Sequence, residues 1–317
     1  MNLTTPALPC PAPLLIAHDA DPTSRPRELS GHLRLRRGVY VSAQAWRALE
    51  PWDRYLTRVH AVAAIRPGSI FCLESAAALR GLPLFGEPRN IHVYDPLATR
   101  STSFGDIVVH TSGTPRVVRR IGDLDVVDTA DTVLDLARAL PPAFALATVD
   151  AAIGPGSQPA LALDEIVDAL AGRASGSRGT RRARWAIDRA DARAESVGES
   201  VSRAVIEWLG YPPPALQRTF RFEGSEDRVD FFWEGEGVVG ESDGFGKYER
   251  DAVASIVREK RREDRLRRHV SGFARWGWAD AMRADPLDRS LAAAGLRPVR
   301  ARQHGMLATL RRNPRSL

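Results

Sequence analysis

Residues 228–248 read RVDFFWEGEGVVGESDGFGKY, and this stretch decides how the second half of the chain is understood. Residues 229–233 and 238–242 are short apolar runs with strand character, and the Gly-rich 234–237 between them predicts a hairpin connection. A turn centred between Gly235 and Glu236 places Asp230 opposite Glu241. Directly opposed residues of an antiparallel pair have Cβ atoms roughly 5 Å apart. Asp243 lies two residues beyond Glu241 and so shares its face. Like charges on one half-buried face raise each other's pKa unless a cation neutralises them. Oxygen ligands of this kind suit Mg2+. Asp230, Glu241 and Asp243 are therefore candidate metal ligands of an active site.

On either side of the hairpin the pattern continues. Residues 197–209 form an amphipathic helix with Val201, Val205 and Leu209 on one stripe, stopped by Gly210 and three prolines. A strand is expected over 216–222, a long charged helix over 248–269, a strand over 272–276 and a short helix from 279 to 282. Helix, three strands, helix, strand, helix implies a small mixed sheet flanked by helices.

Upstream, residues 1–29 are rich in proline, with at most a turn over 14–18. Residues 33–41 alternate apolar and basic residues about Gly38, as a two-stranded ribbon with a basic turn. Helices are expected over 46–49, 52–65, 74–80, 130–140 and 144–153, and strands over 70–73, 91–94, 107–111 and 124–127. This makes 30–153 one α+β region. Residues 154–194 read as linker and helices, including a helix over 181–194, 195–285 as the second main domain, and 286–317 as a basic tail.

The 317 residues carry 45 Lys+Arg against 39 Asp+Glu, a net charge of +6. Nearly all of the basic residues are Arg, a balance that suits a polyanionic partner or reflects an Arg-rich genome. Cys10 and Cys72 offer neither a zinc spacing nor a disulfide framework. No apolar run approaches the roughly 20 residues that span a bilayer, and the proline-broken N-terminus makes a poor signal peptide. A cytoplasmic, soluble protein is expected.

Several motifs together resemble a known family. Glu199-Ser200 in the first helix, Asp230, the E-x-D-G of residues 241–244, the Lys247-Tyr248 pair and the EKRRED of residues 259–264 are similar to the Vsr-like domain of the PD-(D/E)XK, restriction-endonuclease-like superfamily. The LRRGVYV of 35–41, ESAAALRGLPL of 74–84 and DTADTVLDLAR of 128–138 resemble the AbiEi-type antitoxin-like region, with a degenerate winged-helix start. The resemblance implies a restriction-endonuclease-like α/β/α domain after an α+β region. It also implies a Mg2+-dependent (or Mn2+-dependent) DNA endonuclease or nickase of DNA repair or phage defence. Glu199, Asp230, Glu241 and Asp243 would hold the metal, which would activate water against a phosphodiester. The superfamily has Lys where Asp243 stands, so Lys247 or Lys260 becomes the candidate cation of the catalytic set. The alternative is a non-enzymatic antitoxin-like regulator that binds DNA or a cognate toxin and keeps an inactive nuclease fold.

Arg258, Arg261, Arg262 and Arg265 could track a phosphate backbone, as could Arg34, Arg36 and Arg37 in the ribbon. Glu259 and Glu263 would equally explain the helical arginines as a solvated face. The G-x-G-x-x-G at 235–240 leads into a strand, so a dinucleotide fingerprint is rejected. His92 and His110 are read as structural, and Trp276 and Trp278 as core aromatics rather than base-stacking platforms.

Overall fold

A computed structural model describes residues 6–16, 31–157, 160–173, 177–243, 252–311 and 313–317. The protein is α+β with mixed sheets. It divides into two compact units. The first comprises Met1–Leu140, Ser157–Arg181 and Pro314–Leu317, and the second Pro141–Gly156 and Arg182–Asn313.

In the first unit, β1 (Leu14–Ile16), β2 (His32–Arg36) and β3 (Val39–Ser42) form a three-stranded sheet in the order β1-β3-β2. The basic ribbon is thus present, and the segment expected to turn at 14–18 instead supplies a third strand, with Leu14 paired to Val41. An edge strand tolerates the neighbouring prolines because its outer N–H groups need no partner. Residues 17 and 18 lie outside the described residues. Helices α1 (Ala43–Ala48) and α2 (Pro51–Ile65) follow.

A six-stranded sheet comes next, from β4 (Ile70–Phe71), β5 (Ile91–Tyr94), β6 (Thr102–Phe104), β7 (Ile107–His110), β8 (Val118–Ile121) and β9 (Leu124–Val127). Its order is β6-β7-β5-β4-β9-β8. The edge strands β6 and β8 had no sequence signal, because solvent takes the place of a packed face and their residues are mostly exposed. Helix α3 (Leu73–Arg80) leaves β4, and α4 (Thr129–Ala139), capped by Asp128, follows β9. Tyr55, Val59, Phe71, Leu79, Ile91 and Val126 form the core.

Helix α5 (Pro142–Ile153) belongs to the second unit, α6 (Leu163–Ala171) to the first, and α7 (Thr180–Ile187) bridges the cut. The compact units therefore divide the chain differently from the segments read on the sequence. Helix α7 stops seven residues before the expected 194. The backbone N–H of Asp191 donates to the buried Asp150 carboxylate at 2.8 Å, which draws the chain out of helical geometry.

The second unit then runs α8 (Val197–Leu209), β10 (Ala215–Phe222), β11 (Ser225–Trp233), β12 (Val238–Asp243), α9 (Ala252–His269), β13 (Gly272–Gly277), α10 (Trp278–Arg283), α11 (Asp285–Ala293) and α12 (His304–Leu307). Its sheet has the order β10-β11-β12-β13, antiparallel except that β12 and β13 run parallel through the α9 crossover. Helix α8 starts on Ser196, whose hydroxyl accepts from the Glu199 N–H, and ends at Gly210 in the left-handed region that a C-terminal cap favours. One sheet face packs Val239 and Phe232 against Leu266 of α9. The other carries Phe231 against Trp276, whose indole N–H donates to Ser202 of α8 at 2.9 Å.

Gly240 explains the rejected fingerprint. A Cβ there would lie 2.7 Å from Trp276 and 3.0 Å from Trp233, so glycine lets two indoles close over β12. The expected basic tail is instead folded: Leu287, Leu291 and Leu296 are fully buried.

Candidate acidic site

The hairpin register is the one the turn demanded. Trp233 pairs with Val238, Phe232 with Val239 and Phe231 with Gly240, so the next position sets Asp230 beside Glu241. Both carboxylates, with Asp243, lie on the sheet face that α9 covers. The N–H of Ser242 donates to Asp230 Oδ2 at 2.9 Å. Helix α8 brings its first turn against the same strand: a Cβ on Gly198 would lie 3.2 Å from Ser242 Oγ.

Glu199 is buried in that first turn. Its carboxylate takes the Ser196 hydroxyl at 2.8 Å and, at 3.1 Å, the N–H of Glu195, the residue before the cap. It also accepts from Gln217 Nε2 at 2.8 Å. Gln217 sits on β10 across from Asp230, skipped by the ladder between Leu216 and Arg218, with φ +54. A left-handed backbone at a non-glycine residue is costly, and such strain concentrates where side-chain position matters.

The electrostatics join these groups. Burial pushes the Asp230 carboxyl up to about 6; the Ser242 N–H opposes this and the Glu199 charge adds to it. Burial raises Glu241 to about 7, against the Arg262 hydrogen bond and with the Asp230 charge. Arg262 of α9 donates from Nη2 to Glu241 Oε1 at 2.8 Å and from Nη1 to Glu259 at 3.1 Å. A raised pKa alone does not mark function. Asp150, pushed up to about 6 by burial, is engaged by Ser200, Arg203 and the Asp191 N–H.

The site residues read on the sequence separate into groups. Glu199, Asp230 and Glu241 come together. Asp243 is exposed and ion-paired to Arg275 at 2.7 Å, so it does not join them. Lys260 is exposed on α9. Lys247 and Tyr248 lie outside the described residues, as does the expected start of the long helix at 248–251. Among the described residues, no three His, Cys, Asp or Glu side chains stand in an arrangement that could hold a metal ion. The Asp230 and Glu241 carboxylates are oxygen donors of the type that Mg2+ takes.

Of the arginines read as phosphate contacts, Arg34, Arg37, Arg258 and Arg261 are exposed. Arg36 is engaged with Asp106 at 2.7 Å, Arg262 with Glu241, and Arg265 with both oxygens of Asp227 at 2.7 Å. His92 is buried in hydrogen bonds to His110 and Arg315, and Trp276 is 2% exposed, as structural roles require. Trp278 stacks on Phe144. Sequence reasoning missed Gln217 and the inward reach of Arg262. The S-x-x-E of Ser196–Glu199 was a legible signal for the Ser196 cap of α8.

Fold and site together define an α+β protein of two compact units, the second of which sets half-buried Asp230 beside buried Glu241. Two mycobacterial proteins are similar over 205 residues at 36% identity, covering 64% of this chain and 70% of each relative. They are the uncharacterized proteins MT2308 of Mycobacterium tuberculosis (strain CDC 1551 / Oshkosh) and Rv2248 of Mycobacterium tuberculosis (strain ATCC 25618 / H37Rv). The chain belongs to the family of these mycobacterial proteins. No family model and no solved structure matches it. Among the described residues, no helix is long and apolar enough to cross a membrane.

Proposed function

We propose that the second unit is a Mg2+-dependent DNA endonuclease or nickase, hydrolysing a phosphodiester at the Asp230–Glu241 pair. The observation that carries this reading is a half-buried and a buried carboxylate, Asp230 and Glu241, opposed on adjacent strands, whose pKa values are pushed up to about 6 and 7. Such a pair is unfavourable as it stands and gains most from a hard cation. The order α8-β10-β11-β12-α9-β13, with helices on both sheet faces, supports the restriction-endonuclease-like reading of the sequence.

Asp230 and Glu241 would hold the cation, which supplies an activated water and neutralises charge on the phosphate. Asp230 is aimed by the Ser242 N–H. Glu199, locked by Ser196 and Gln217, adds negative potential beside Asp230 and ties the first turn of α8 to β10. Exposed Arg258 and Arg261 on α9 offer contacts to the strand backbone. Incubation of wild type with supercoiled, linear and single-stranded DNA in Mg2+ or Mn2+ tests the proposal. Cleavage should be lost in Asp230→Ala and Glu241→Ala, and equal inactivity of all three proteins sinks it.

A second reading has its own observation. Asp243, in the position of the superfamily lysine, is tied to Arg275, while Arg34 and Arg37 stand exposed on the ribbon of the first unit. A non-enzymatic regulator that binds DNA or a cognate toxin fits those facts. It requires salt-dependent DNA binding that survives neutralising the carboxylates and weakens in Arg34→Ala/Arg37→Ala.

A further inference from the structure

In the first unit, residues 86–89 lead into β5 and pair with a segment far away in sequence, residues 315–317. Ser316 bridges Pro88 in the antiparallel sense. The Arg89 N–H donates to the Arg315 carbonyl at 2.9 Å, and the Leu317 N–H to the Glu87 carbonyl at 2.8 Å. The Arg315 side chain enters a pocket between α3 and β5. There Nε and Nη2 donate to the two oxygens of Glu74, and Nη2 also donates to His92 Nε2 at 3.2 Å. We propose that this groove and pocket form a binding site for an extended peptide carrying arginine. Residues 315–317 occupy it as a displaceable ligand that such a segment of another chain replaces.

The receiving side is held by its own contacts. Arg58 of α2 donates to the Pro88 and Arg89 carbonyls at 3.0 and 2.6 Å, which fixes the backbone of the groove. Gly86 is left-handed, with φ +87, and a Cβ there would collide with Ser316 Oγ, so glycine leaves room for the occupant. The His92 N–H donates to Ser75 Oγ at 2.8 Å, which sets β5 against the first turn of α3. Leu73, directly before Glu74, has φ +48, a strain of the kind that concentrates where a side chain must be aimed.

The pocket selects for a guanidinium. Glu74 and His92 are 4% and 5% exposed. Burial lowers the His92 pKa to about 4, so the ring is neutral. An arginine only donates, so Nε2 accepts, and the proton on Nδ1 goes to His110 Nε2 at 2.8 Å. Two carboxylate oxygens and one ring nitrogen thus meet a planar fork of donors, which a lysine ammonium does not match. The occupant, by contrast, is held without apolar burial: Pro314 and Leu317 are both exposed. Backbone pairing with one anchoring side chain is how extended peptides add to a free backbone edge. A segment so held opens at lower free energy than the core.

The test uses the full chain and an acetylated, amidated peptide P-R-S-L, the sequence of residues 314–317. In wild type, the Arg89 and Leu317 amides should exchange hydrogen at least about 10-fold faster than the Ile91 amide of the central strand β5. Equal protection of all three would mean that the segment opens only with the whole unit, and overturns the proposal. Arg315→Ala empties the pocket. The peptide should raise the melting temperature of this variant and bind it at least about 10-fold more tightly than wild type, where the tethered occupant competes. A peptide with lysine in place of arginine should bind at least about 10-fold more weakly. Arg315→Ala/Glu74→Gln removes the buried charge with its partner, so it should stay folded and lose the response. No binding to Arg315→Ala, equal binding of the two peptides, or an equal response of the double variant overturns the site.

Discussion

Glu74 in the first unit and Glu241 in the second are both buried glutamates with an arginine partner, yet their acidities move in opposite directions. At Glu74, burial pushes the carboxyl up, but the Arg315 hydrogen bonds and charge, with His92 beside them, outweigh it and hold the pKa below the ordinary value. At Glu241, burial wins: one Arg262 bond opposes it, Asp230 reinforces it, and the carboxyl stands at about 7. Glu74 is compensated by Arg315. Glu241 is under-compensated and invites a further positive charge. The difference lies in how many donors reach the carboxylate and how many like charges stand beside it, not in burial.

The largest way to break this comparison is Arg315→Ala. Removing one partner of a buried pair leaves an uncompensated charge and typically costs about 3–5 kcal/mol. Denaturant unfolding of the first unit should show a loss on that scale, and a loss under 1 kcal/mol would mean that Glu74 is not held as described.

The pH dependence is the next effect. Asp230 and Glu241 have folded-state pKa values above their unfolded ones, so the folded state binds more protons between about pH 4 and 7. Their stabilising contribution is present at low pH and is lost as pH rises through 6 and 7. Glu74 has the opposite sign: its contribution is present above the ordinary glutamate pKa and is lost on acidification. In metal-free buffer the second unit should lose on the order of 2–4 kcal/mol between pH 5 and 8. Asp230→Asn/Glu241→Gln should flatten that slope; an unchanged slope would place the titration elsewhere.

The smallest effect is expected at Asp243. Its bridge to Arg275 is between side chains 46% and 36% exposed. Such a pair is worth roughly 0–1 kcal/mol, so Asp243→Ala should change stability by no more than that. If Asp243 lies outside the acidic group, the variant should also bind Mn2+ as wild type does. A large loss of Mn2+ affinity would return Asp243 to the ligand set.

Much of the hairpin was legible in sequence. A four-residue Gly-rich turn between two strand-like runs fixes register, and register alone put Asp230 beside Glu241. The fate of Asp243 was not legible, since period-2 alternation gives the face of a strand but not what lies across it. Parallel pairing sets Arg275 against Glu241 on β13, and its guanidinium reaches along to Asp243. Nor was the guanidinium partner of Glu241 legible. Seven basic residues crowd residues 258–268, and which one turns inward depends on how α9 is rotated against the sheet. Gln217 carried no signal, because its left-handed backbone is imposed by the sheet and not by its residue type. The ends of α7 and the packing of residues 286–313 were set by long-range partners, Asp150 for the first and the buried leucines of α11 for the second.

Calorimetric titration of Mn2+ into metal-free wild type and Asp230→Asn/Glu241→Gln, at pH 8 where both carboxylates are ionised, tests the acidic pair most directly. Saturable binding to wild type with one strong site, abolished in the double variant while both proteins remain folded, is the expected result. Equal binding to the two proteins, or none to either, would contradict a cation site at Asp230 and Glu241.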